Sequence, residues 1–362
     1  MRAAVLREFD GPLRVEDVEL HALAPDGVRV RIVASGVCHS DLSVQQGVMP
    51  LPLPCVLGHE GAGVVEEVGA AVQSVQPGDH VILSPMAPCR RCFFCLRGQP
   101  TLCDSGVAWA FTGPYAEAGG VGVWPGLGPA TFAEETVLPE GAVVPIDKAF
   151  PLELAALIGC GVVTGVGSVV NSARVEAGAT VAIIGCGGVG LSAIQAARMS
   201  GASRVIAVDR VAGRLAIAVD CGATDTVDAS AGDPVEAVRE LTGGLGVDHA
   251  LEVVGLSITI MQAYEMTRRA GTVTIVGAGR FDDMVSFNAM QLMVDAKTMR
   301  GCVYGAADPV RDFPRLMDWQ RRGLLDLERL VTKRIGLDDI DGAFTDMLAG
   351  EGARAVVVFD GK

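Results

Sequence analysis

Residues 180–209 read TVAIIGCGGVGLSAIQAARMSGASRVIAVD, and this stretch decides the fold of the chain. An apolar run, a glycine turn, a segment rich in Ala and Leu, and a second apolar run follow one another. This order predicts a strand, a turn, a helix and a parallel strand. The apolar runs HALEVV and GTVTIVG repeat the strand pattern further along the chain. The sequence therefore predicts an α/β fold with a parallel sheet and crossover helices.

The glycine turn in this stretch has the spacing of a dinucleotide site. Gly185, Gly187 and Gly190 form G-x-G-x-x-G, which lets the backbone approach a pyrophosphate at a helix N-terminus. Asp209 ends the second strand, where an acid can accept hydrogen bonds from ribose hydroxyls and repel the extra phosphate of NADP. An ordinary glycine-rich turn with an exposed acid is the alternative interpretation. NAD is favoured, but two nearby bases leave NADP open: Arg210 and Arg214.

The length and the changes of pattern predict more than one domain, since 362 residues exceed the usual size of one hydrophobic core. Residues 1–161 form an expected irregular β-rich domain of short apolar pieces broken by Gly and Pro. Residues 162–303 carry the parallel-sheet pattern. Residues 304–362 contain strand and helix patterns that by themselves fit either domain. Within the first domain, the glycine-rich residues 104–131 are expected to form a long functional or mobile loop.

Charge and composition exclude several classes of protein. Lys and Arg total 29 against 43 Asp and Glu, and the net charge of -14 would repel a nucleic-acid backbone. The N-terminal sequence lacks the apolar core of a signal peptide, and no run of about 18 apolar residues predicts a membrane span. We therefore expect a cytoplasmic protein. In that compartment its ten cysteines indicate metal or thiolate chemistry in preference to disulfides.

Four of the cysteines form a compact cluster. They follow the pattern C-x-x-C-x-x-C with a fourth cysteine after seven further residues, and are Cys89, Cys92, Cys95 and Cys103. Four thiolates at this spacing can close a tetrahedral shell around Zn²⁺, which predicts a structural site with no open position. A bacterial ferredoxin run begins in the same way, but its fourth cysteine comes after three residues and precedes Pro. Here Asp104 follows the fourth cysteine, so zinc is the favoured ion.

With these motifs in place, the sequence resembles the zinc-containing medium-chain alcohol dehydrogenases over essentially its whole length. The matching stretches are ASGVCHSDL, LGHEGAGVVEEVG, the four-cysteine lobe, LIGCGVVTGVGSVVN, GCGGVG with Asp209, and GEGARAVVVF. The resemblance implies a GroES-like catalytic domain at residues 1–161 and a Rossmann doubly wound coenzyme domain at residues 162–303. It also implies that residues 304–362 return to the catalytic domain.

A second, catalytic zinc is implied by the same resemblance. Its ligands would be Cys38, His59 and Cys160, with a fourth position open to water or to the substrate oxygen. Asp41 would orient His59 by accepting its other ring N–H. Glu60 resembles the family's acid behind the zinc, which can serve as a transient ligand. From the residues alone, a single His in a Gly-Glu run is more often structural.

The proton relay and further coenzyme contacts follow from the resemblance as well. Ser40 matches the hydroxyl that takes the alcohol proton. Ser43 stands where many family members have a His, and because a hydroxyl cannot hold a proton near neutral pH, we expect release directly to water. His39 and Arg354 are expected to contact the coenzyme pyrophosphate, and Thr164 and Val189 to lie beside the nicotinamide. Gly188 in the glycine turn and Val276, directly after GTVTI, are the other expected coenzyme contacts.

The implied activity is reversible hydride transfer between an alcohol and NAD, giving an aldehyde or ketone. The residues expected near the substrate are apolar and favour medium-length or aromatic alcohols: Met49, Pro85, Trp109, Phe111 and Val303. A thiol-dependent formaldehyde dehydrogenase is the main alternative, although residues 104–131 contain no Lys, Arg or His for an anionic adduct. A non-catalytic zinc-stabilised binding protein is less favoured, because the implied ligands are all present. We expect a homodimer or homotetramer.

Overall fold

The computed structural model describes residues 1–359. The strands up to residue 146 are β1 Arg2–Leu6, β2 Arg14–Asp17, β3 Glu19–Leu20, β4 Gly27–Gly36, β5 Cys55–Val56, β6 Glu60–Val68, β7 His80–Leu83, β8 Ala116–Ala118, β9 Val121–Pro125, β10 Glu135–Pro139 and β11 Val143–Ile146. The later strands are β12 Thr180–Ile184, β13 Arg204–Asp209, β14 Asp225–Asp228, β15 Val247–Glu252, β16 Thr267–Ile275, β17 Thr298–Gly301, β18 Val331–Ile335 and β19 Arg354–Val358.

Helices connect these strands chiefly in the second half of the chain. They are α1 His39–Gln45, α2 Leu152–Leu157, α3 Val163–Gly167, α4 Gly188–Met199, α5 Ala212–Asp220, α6 Pro234–Leu241, α7 Ser257–Met266, α8 Ala289–Asp295, α9 Pro309–Arg321 and α10 Ile340–Ala349. Strands and helices therefore alternate from β12 to β17, as the apolar pattern predicts.

The alternating region forms a parallel six-stranded sheet in the order β14-β13-β12-β15-β16-β17. The chain first adds strands on one side of β12 and then crosses to add β15 on the other. The carboxyl ends of β12 and β15 therefore border the crevice at which doubly wound sheets bind ligands. This sheet confirms the predicted α/β fold class.

Two further sheets form the β-rich part of the molecule. One has the order β11-β7-β6-β4-β19-β18, with β10 also paired to β4, and the other has the order β2-β1-β5-β9-β8-β3. β19 pairs antiparallel with β4, so that Val356 lies opposite Gly36. The C-terminal strands therefore complete a sheet that begins near the N-terminus.

The glycine-rich residues 104–131 do not form one long loop, and that expectation was wrong. They contain β8 and β9, which pair antiparallel with Ala118 opposite Val121. Gly119 and Gly120 connect the two strands with φ of 59° and 78°, the left-handed pair of a tight hairpin turn. The signal was present as Gly-Gly between short alternating runs, and the high glycine content obscured it.

One helical stretch, Leu152–Ala173, connects the β-rich part to the parallel sheet. It is long and apolar enough to cross a membrane, but 78% of its most apolar window is buried inside the protein, as in a core helix. Its helical geometry changes twice, with π-helical turns at Ile158–Val162 and Ser168–Ala173. Such turns are frequent at functional sites because the widened backbone redirects side chains. The first one carries Cys160.

Candidate active site

Strand register brings the first two candidate ligands together. In the antiparallel pair of β4 and β6, Gly36 lies opposite Glu60. Cys38 follows the end of β4 and His59 precedes the start of β6, so both side chains lie at one end of this pair. The ligand atoms of Cys38, His59, Glu60 and Cys160 all lie within 4.8 Å of one another. The structure thus assembles one cluster from three distant parts of the chain.

Asp41 holds the first two members of this cluster in place. Its carboxylate is fully buried and accepts hydrogen bonds from the backbone N–H groups of Cys38 at 3.2 Å and Gly58 at 2.9 Å. The same group lies 3.1 Å from Nδ1 of His59. Because Nδ1 is engaged, Nε2 is the imidazole nitrogen available as a ligand, the arrangement found behind metal-bound histidines.

Glu60 is fully buried and paired with a buried arginine. One carboxylate oxygen accepts from the backbone N–H of Gly161 at 2.9 Å and lies 3.1 Å from the guanidinium of Arg354. The other oxygen has no hydrogen-bond partner in residues 1–359. Burial raises the pKa of Glu60 to about 7, although the Arg354 charge works against that rise. An acid that keeps one unpaired buried oxygen is suited to a cation beside it.

The donor set of this cluster fits zinc. Two sulfurs and one imidazole are ligands that Zn²⁺ prefers, and three of them leave a position open. The Cys160 thiol donates toward the Cys38 sulfur and holds the pKa of Cys38 well below its usual range, which favours a thiolate there. Cys38, His59 and Cys160 can therefore hold a zinc ion, with Glu60 behind them.

The four-cysteine lobe forms the second cluster, with its four sulfurs also within 4.8 Å of one another. The backbone N–H of Cys89 points at the Cys103 sulfur at 3.3 Å. Backbone N–H groups of Arg91 and Cys92 lower the pKa of Cys89 to about 6. N–H groups aimed at sulfur stabilise thiolates, so the lobe fits the structural zinc expected from its spacing.

The predicted coenzyme turn lies between β12 and α4. Gly185 has a φ of 97°, a left-handed conformation that favours glycine. A Cβ at Gly190 would overlap the carbonyl oxygen of Gly185, so only glycine fits there. At Gly187, by contrast, a Cβ would meet no described atom within 4 Å. The turn is therefore tight on one side and open on the side from which a phosphate can approach.

Asp209 lies at the end of β13 with both carboxylate oxygens engaged. They accept hydrogen bonds from the backbone N–H groups of Cys186 at 2.7 Å and Val211 at 2.9 Å. Arg210 is exposed to solvent. Arg214 is half-buried and donates to the Met347 carbonyl at the end of α10, at 3.1 Å.

Arg354 contacts both halves of the candidate site. Its guanidinium donates to the Val37 carbonyl at 3.0 Å, next to Cys38. A Cβ at Gly161 or at Gly188 would overlap the same guanidinium. Arg354 therefore lies between the cluster and the start of α4. The ion pair with Glu60 was not anticipated from sequence, because the two residues are distant along the chain.

The two serines considered for the proton relay, Ser40 and Ser43, both lie on α1. The Ser40 hydroxyl is 3.8 Å from the Cys38 sulfur. The Ser43 hydroxyl lies 3.3 Å from Nδ1 of His39, a contact absent from the sequence interpretation. Its signal was the i, i+4 spacing, which places two side chains on the same face of a helix.

The other expected coenzyme and substrate positions are less well defined by contacts. Thr164 and Val189 lie in α3 and α4, which meet where a Cβ at Gly165 would overlap the Val189 carbonyl. Val276 follows β16 and donates its backbone N–H to the Glu252 carbonyl at 2.8 Å.

Of the expected apolar substrate residues, Trp109 and Pro85 lie together beside Gly128. Met49 is half-buried, and two are largely exposed: Phe111 and Val303.

Comparison with protein families gives two matches that together span most of the chain. Residues 24–148 match the family described as alcohol dehydrogenase GroES-like domain, and residues 188–322 match the zinc-binding dehydrogenase family.

Individual proteins match over nearly the full length. The chain is 39% identical to a geraniol dehydrogenase of Castellaniella defragrans, with 99% of this chain and 97% of the relative covered. It is 35% identical to an S-(hydroxymethyl)glutathione dehydrogenase of Paracoccus denitrificans, with 99% of both covered. A crystal structure of benzyl alcohol dehydrogenase from Acinetobacter calcoaceticus superimposes with a TM-score of 0.93 at 32% identity, with 99% of each chain covered.

Proposed function

Because the chain belongs to the zinc-containing medium-chain alcohol dehydrogenase family, we propose that it interconverts apolar, allylic or aromatic alcohols and their carbonyl products with NAD. The chain is an oxidoreductase acting on alcohols. The observation that carries the proposal is the buried cluster of Cys38, His59, Glu60 and Cys160, in a chain that also has an intact glycine turn.

We assign the chemistry to residues of this cluster and its surroundings. Cys38, His59 and Cys160 would hold the catalytic zinc, and Asp41 keeps the His59 ring in the orientation that presents Nε2. When bound, zinc supplies a Lewis acid for the substrate oxygen, and the coenzyme accepts the hydride. We propose that the Ser40 hydroxyl, 3.8 Å from the Cys38 sulfur, accepts the proton of the alcohol while it passes its own proton on to water.

The substrate class is supported by the apolar side chains and by the names of relatives. Trp109 and Pro85 offer apolar surface, and the chain has no Lys, Arg or His in residues 104–131 with which to hold an anionic thiol adduct. Relatives are named for geraniol and benzyl alcohol, which carry allylic and aromatic tails. A relative named for S-(hydroxymethyl)glutathione makes that compound the necessary comparison.

The preference for NAD is supported by the surroundings of Asp209. Its carboxylate is oriented by two backbone N–H groups at the end of β13, where it can meet the ribose and repel an added phosphate. The Arg214 guanidinium already donates to the Met347 carbonyl at 3.1 Å. Arg210 remains as the base that a 2′-phosphate could use.

A panel of alcohols assayed by the absorbance of reduced coenzyme tests the proposed function. We expect kcat/KM for geraniol-like and benzyl alcohols to exceed that for ethanol by about tenfold or more, since each buried methylene adds roughly 0.8 kcal/mol. It should also exceed that for S-(hydroxymethyl)glutathione, because residues 104–131 contain no Lys, Arg or His to hold the anionic adduct. NAD should support faster turnover than NADP, and Asp209→Gly should narrow that difference. A preference for the glutathione adduct, or equal efficiency with both coenzymes, would contradict the respective proposal.

A homo-oligomer is supported by one surface of the coenzyme domain. Within residues 1–359, β17 is an edge strand, with unpaired backbone groups on one side. Exposed apolar side chains lie close by in sequence, and the most exposed are Phe281, Met284, Met290 and Met293. A second copy related by two-fold symmetry would cover both the edge and this patch.

Light scattering should therefore give a mass of two or more chains, and Met293→Glu should lower the measured mass. A monomeric wild type would contradict this proposal.

A further inference from the structure

We propose that Tyr304 is a positioning residue, whose hydroxyl fixes the peptide before Cys160 and ties that zinc ligand to the turn that follows β17. The inference rests on the proposed catalytic zinc site. It concerns how this chain holds its third ligand, which the strand register of β4 and β6 does not explain.

The three tyrosines of the chain differ in one respect. Tyr115, Tyr264 and Tyr304 are all buried, with 9%, 6% and 8% of their surface exposed. The hydroxyls of Tyr115 and Tyr264 have no hydrogen-bond partner among the described residues. The Tyr304 hydroxyl donates to the Gly159 carbonyl and lies 3.3 Å from the Ser84 hydroxyl. Tyr304 thus alone directs its hydroxyl onto the segment that carries a candidate ligand.

Gly159 is held closely on its other sides. A Cβ there would lie 2.8 Å from the Leu83 carbonyl and 3.5 Å from Cα of Glu60. The Gly159–Cys160 peptide is therefore packed against the ends of β6 and β7. It begins the part of the π-helical turn that directs the Cys160 sulfur toward Cys38. The Tyr304 hydroxyl supplies a polar contact to this peptide from the direction of the coenzyme domain.

The turn that carries Tyr304 has an uncommon backbone. Tyr304, Gly305 and Ala306 all have positive φ, at 51°, 68° and 48°. Left-handed conformations of residues other than glycine persist where surrounding contacts determine them. Here a Cβ at Gly305 would overlap the Val163 carbonyl, and Asn171 donates to the Gly305 carbonyl at 3.2 Å. The turn is therefore docked on the same helical stretch that contains Cys160.

These contacts give Tyr304 a defined role. The ring anchors the turn, the turn packs on α3, and the hydroxyl fixes the carbonyl one residue before Cys160. Without the hydroxyl, the buried Gly159 carbonyl loses this donor, and the peptide is held only by its helical backbone and its packing against Leu83 and Glu60. The Cys160 sulfur should then be held less firmly toward Cys38 and His59, while the rest of the fold is retained.

Tyr304→Phe tests this inference, because it removes one oxygen and keeps the ring. Substitutions behind metal ligands typically cost 10-fold to 100-fold in metal affinity, so we expect about tenfold faster loss of catalytic-site metal to a chelator. In cobalt-substituted protein, the thiolate-to-cobalt absorption band should shift. Tyr264→Phe is the matched control, since it removes an equally buried hydroxyl that has no partner, and it should leave both readouts as in the wild type.

Retention of metal and an unchanged cobalt spectrum in Tyr304→Phe would overturn the inference. If the wild type itself held no metal at this site, the proposed zinc site would fail instead, so the two failures are distinguishable.

If Tyr304→Phe does not fold, the wild type labelled with 3-fluorotyrosine gives an independent test. Its Tyr304 fluorine signal, identified by elimination with Tyr115→Phe and Tyr264→Phe, should move in Cys38→Ser. A signal that stays in place would also overturn the inference.

Discussion

Replacing Cys38 by serine is expected to lower turnover by about a thousandfold or more while leaving a folded protein that retains its proposed coenzyme binding. A three-ligand site that loses a thiolate binds zinc weakly. The Lewis acid contributes several kcal/mol to the transition state, and each 1.36 kcal/mol is about tenfold in rate. Elemental analysis should fall from about two zinc ions per chain to about one. Coenzyme binding should persist, because the glycine turn between β12 and α4 remains intact.

Cys221→Ser provides the matched control for this substitution. Cys221 is buried to a similar extent as Cys38, at 7% against 5% exposure, and lies outside both cysteine clusters. The Cys221→Ser variant should retain activity and both zinc ions. If Cys38→Ser kept near-normal turnover after losing one zinc, the proposed Lewis-acid role would be wrong. If the wild type held only one zinc, the two-site interpretation would be wrong.

Replacing Cys92 by serine is expected to affect stability more than chemistry. Cys92 is one of four thiols that close the lobe, and structural zinc contributes folding free energy directly. A loss of several kcal/mol corresponds to a fall in Tm of about 10 °C for domains of this size. Differential scanning calorimetry should show this fall, together with the loss of about one zinc ion per chain.

The lobe also contacts helix α9. Hydrogen exchange can therefore show which part of the molecule loses structure in Cys92→Ser. Arg90, between two of the lobe cysteines, forms a bidentate ion pair with Asp308 at 2.6 and 2.8 Å. Asp308 caps α9 through its contact with Val310. Disorder in the lobe should therefore expose α9 to hydrogen exchange before it affects the parallel sheet. An unchanged Tm in Cys92→Ser with its zinc lost would show that the lobe is not a structural site.

The clustering of the candidate ligands of the catalytic zinc depends on tertiary structure. Cys38, His59 and Cys160 come from the end of β4, the start of β6 and a π-helical turn, and their separations along the chain carry no periodic signal. Family resemblance implied this set, and the residues by themselves did not. The contact between Tyr304 and Gly159 also depends on tertiary structure, because the two residues lie 145 positions apart in the chain. A tyrosine that follows a strand gives no indication of such a partner.

Local features were determined by the sequence itself. The G-x-G-x-x-G turn and the four-cysteine lobe each lie within a short segment, so residue spacing directly limits which atoms can meet. The alternation of strands and helices from β12 to β17 follows from apolar periodicity in the same way. Residues 104–131 show the limit of composition, since their Gly-Gly hairpin was interpreted as part of a loop. Tertiary structure alone decided the pairing of β19 with β4, the Arg354–Glu60 ion pair and the docking of Tyr304, because each joins segments that only the packed core brings together.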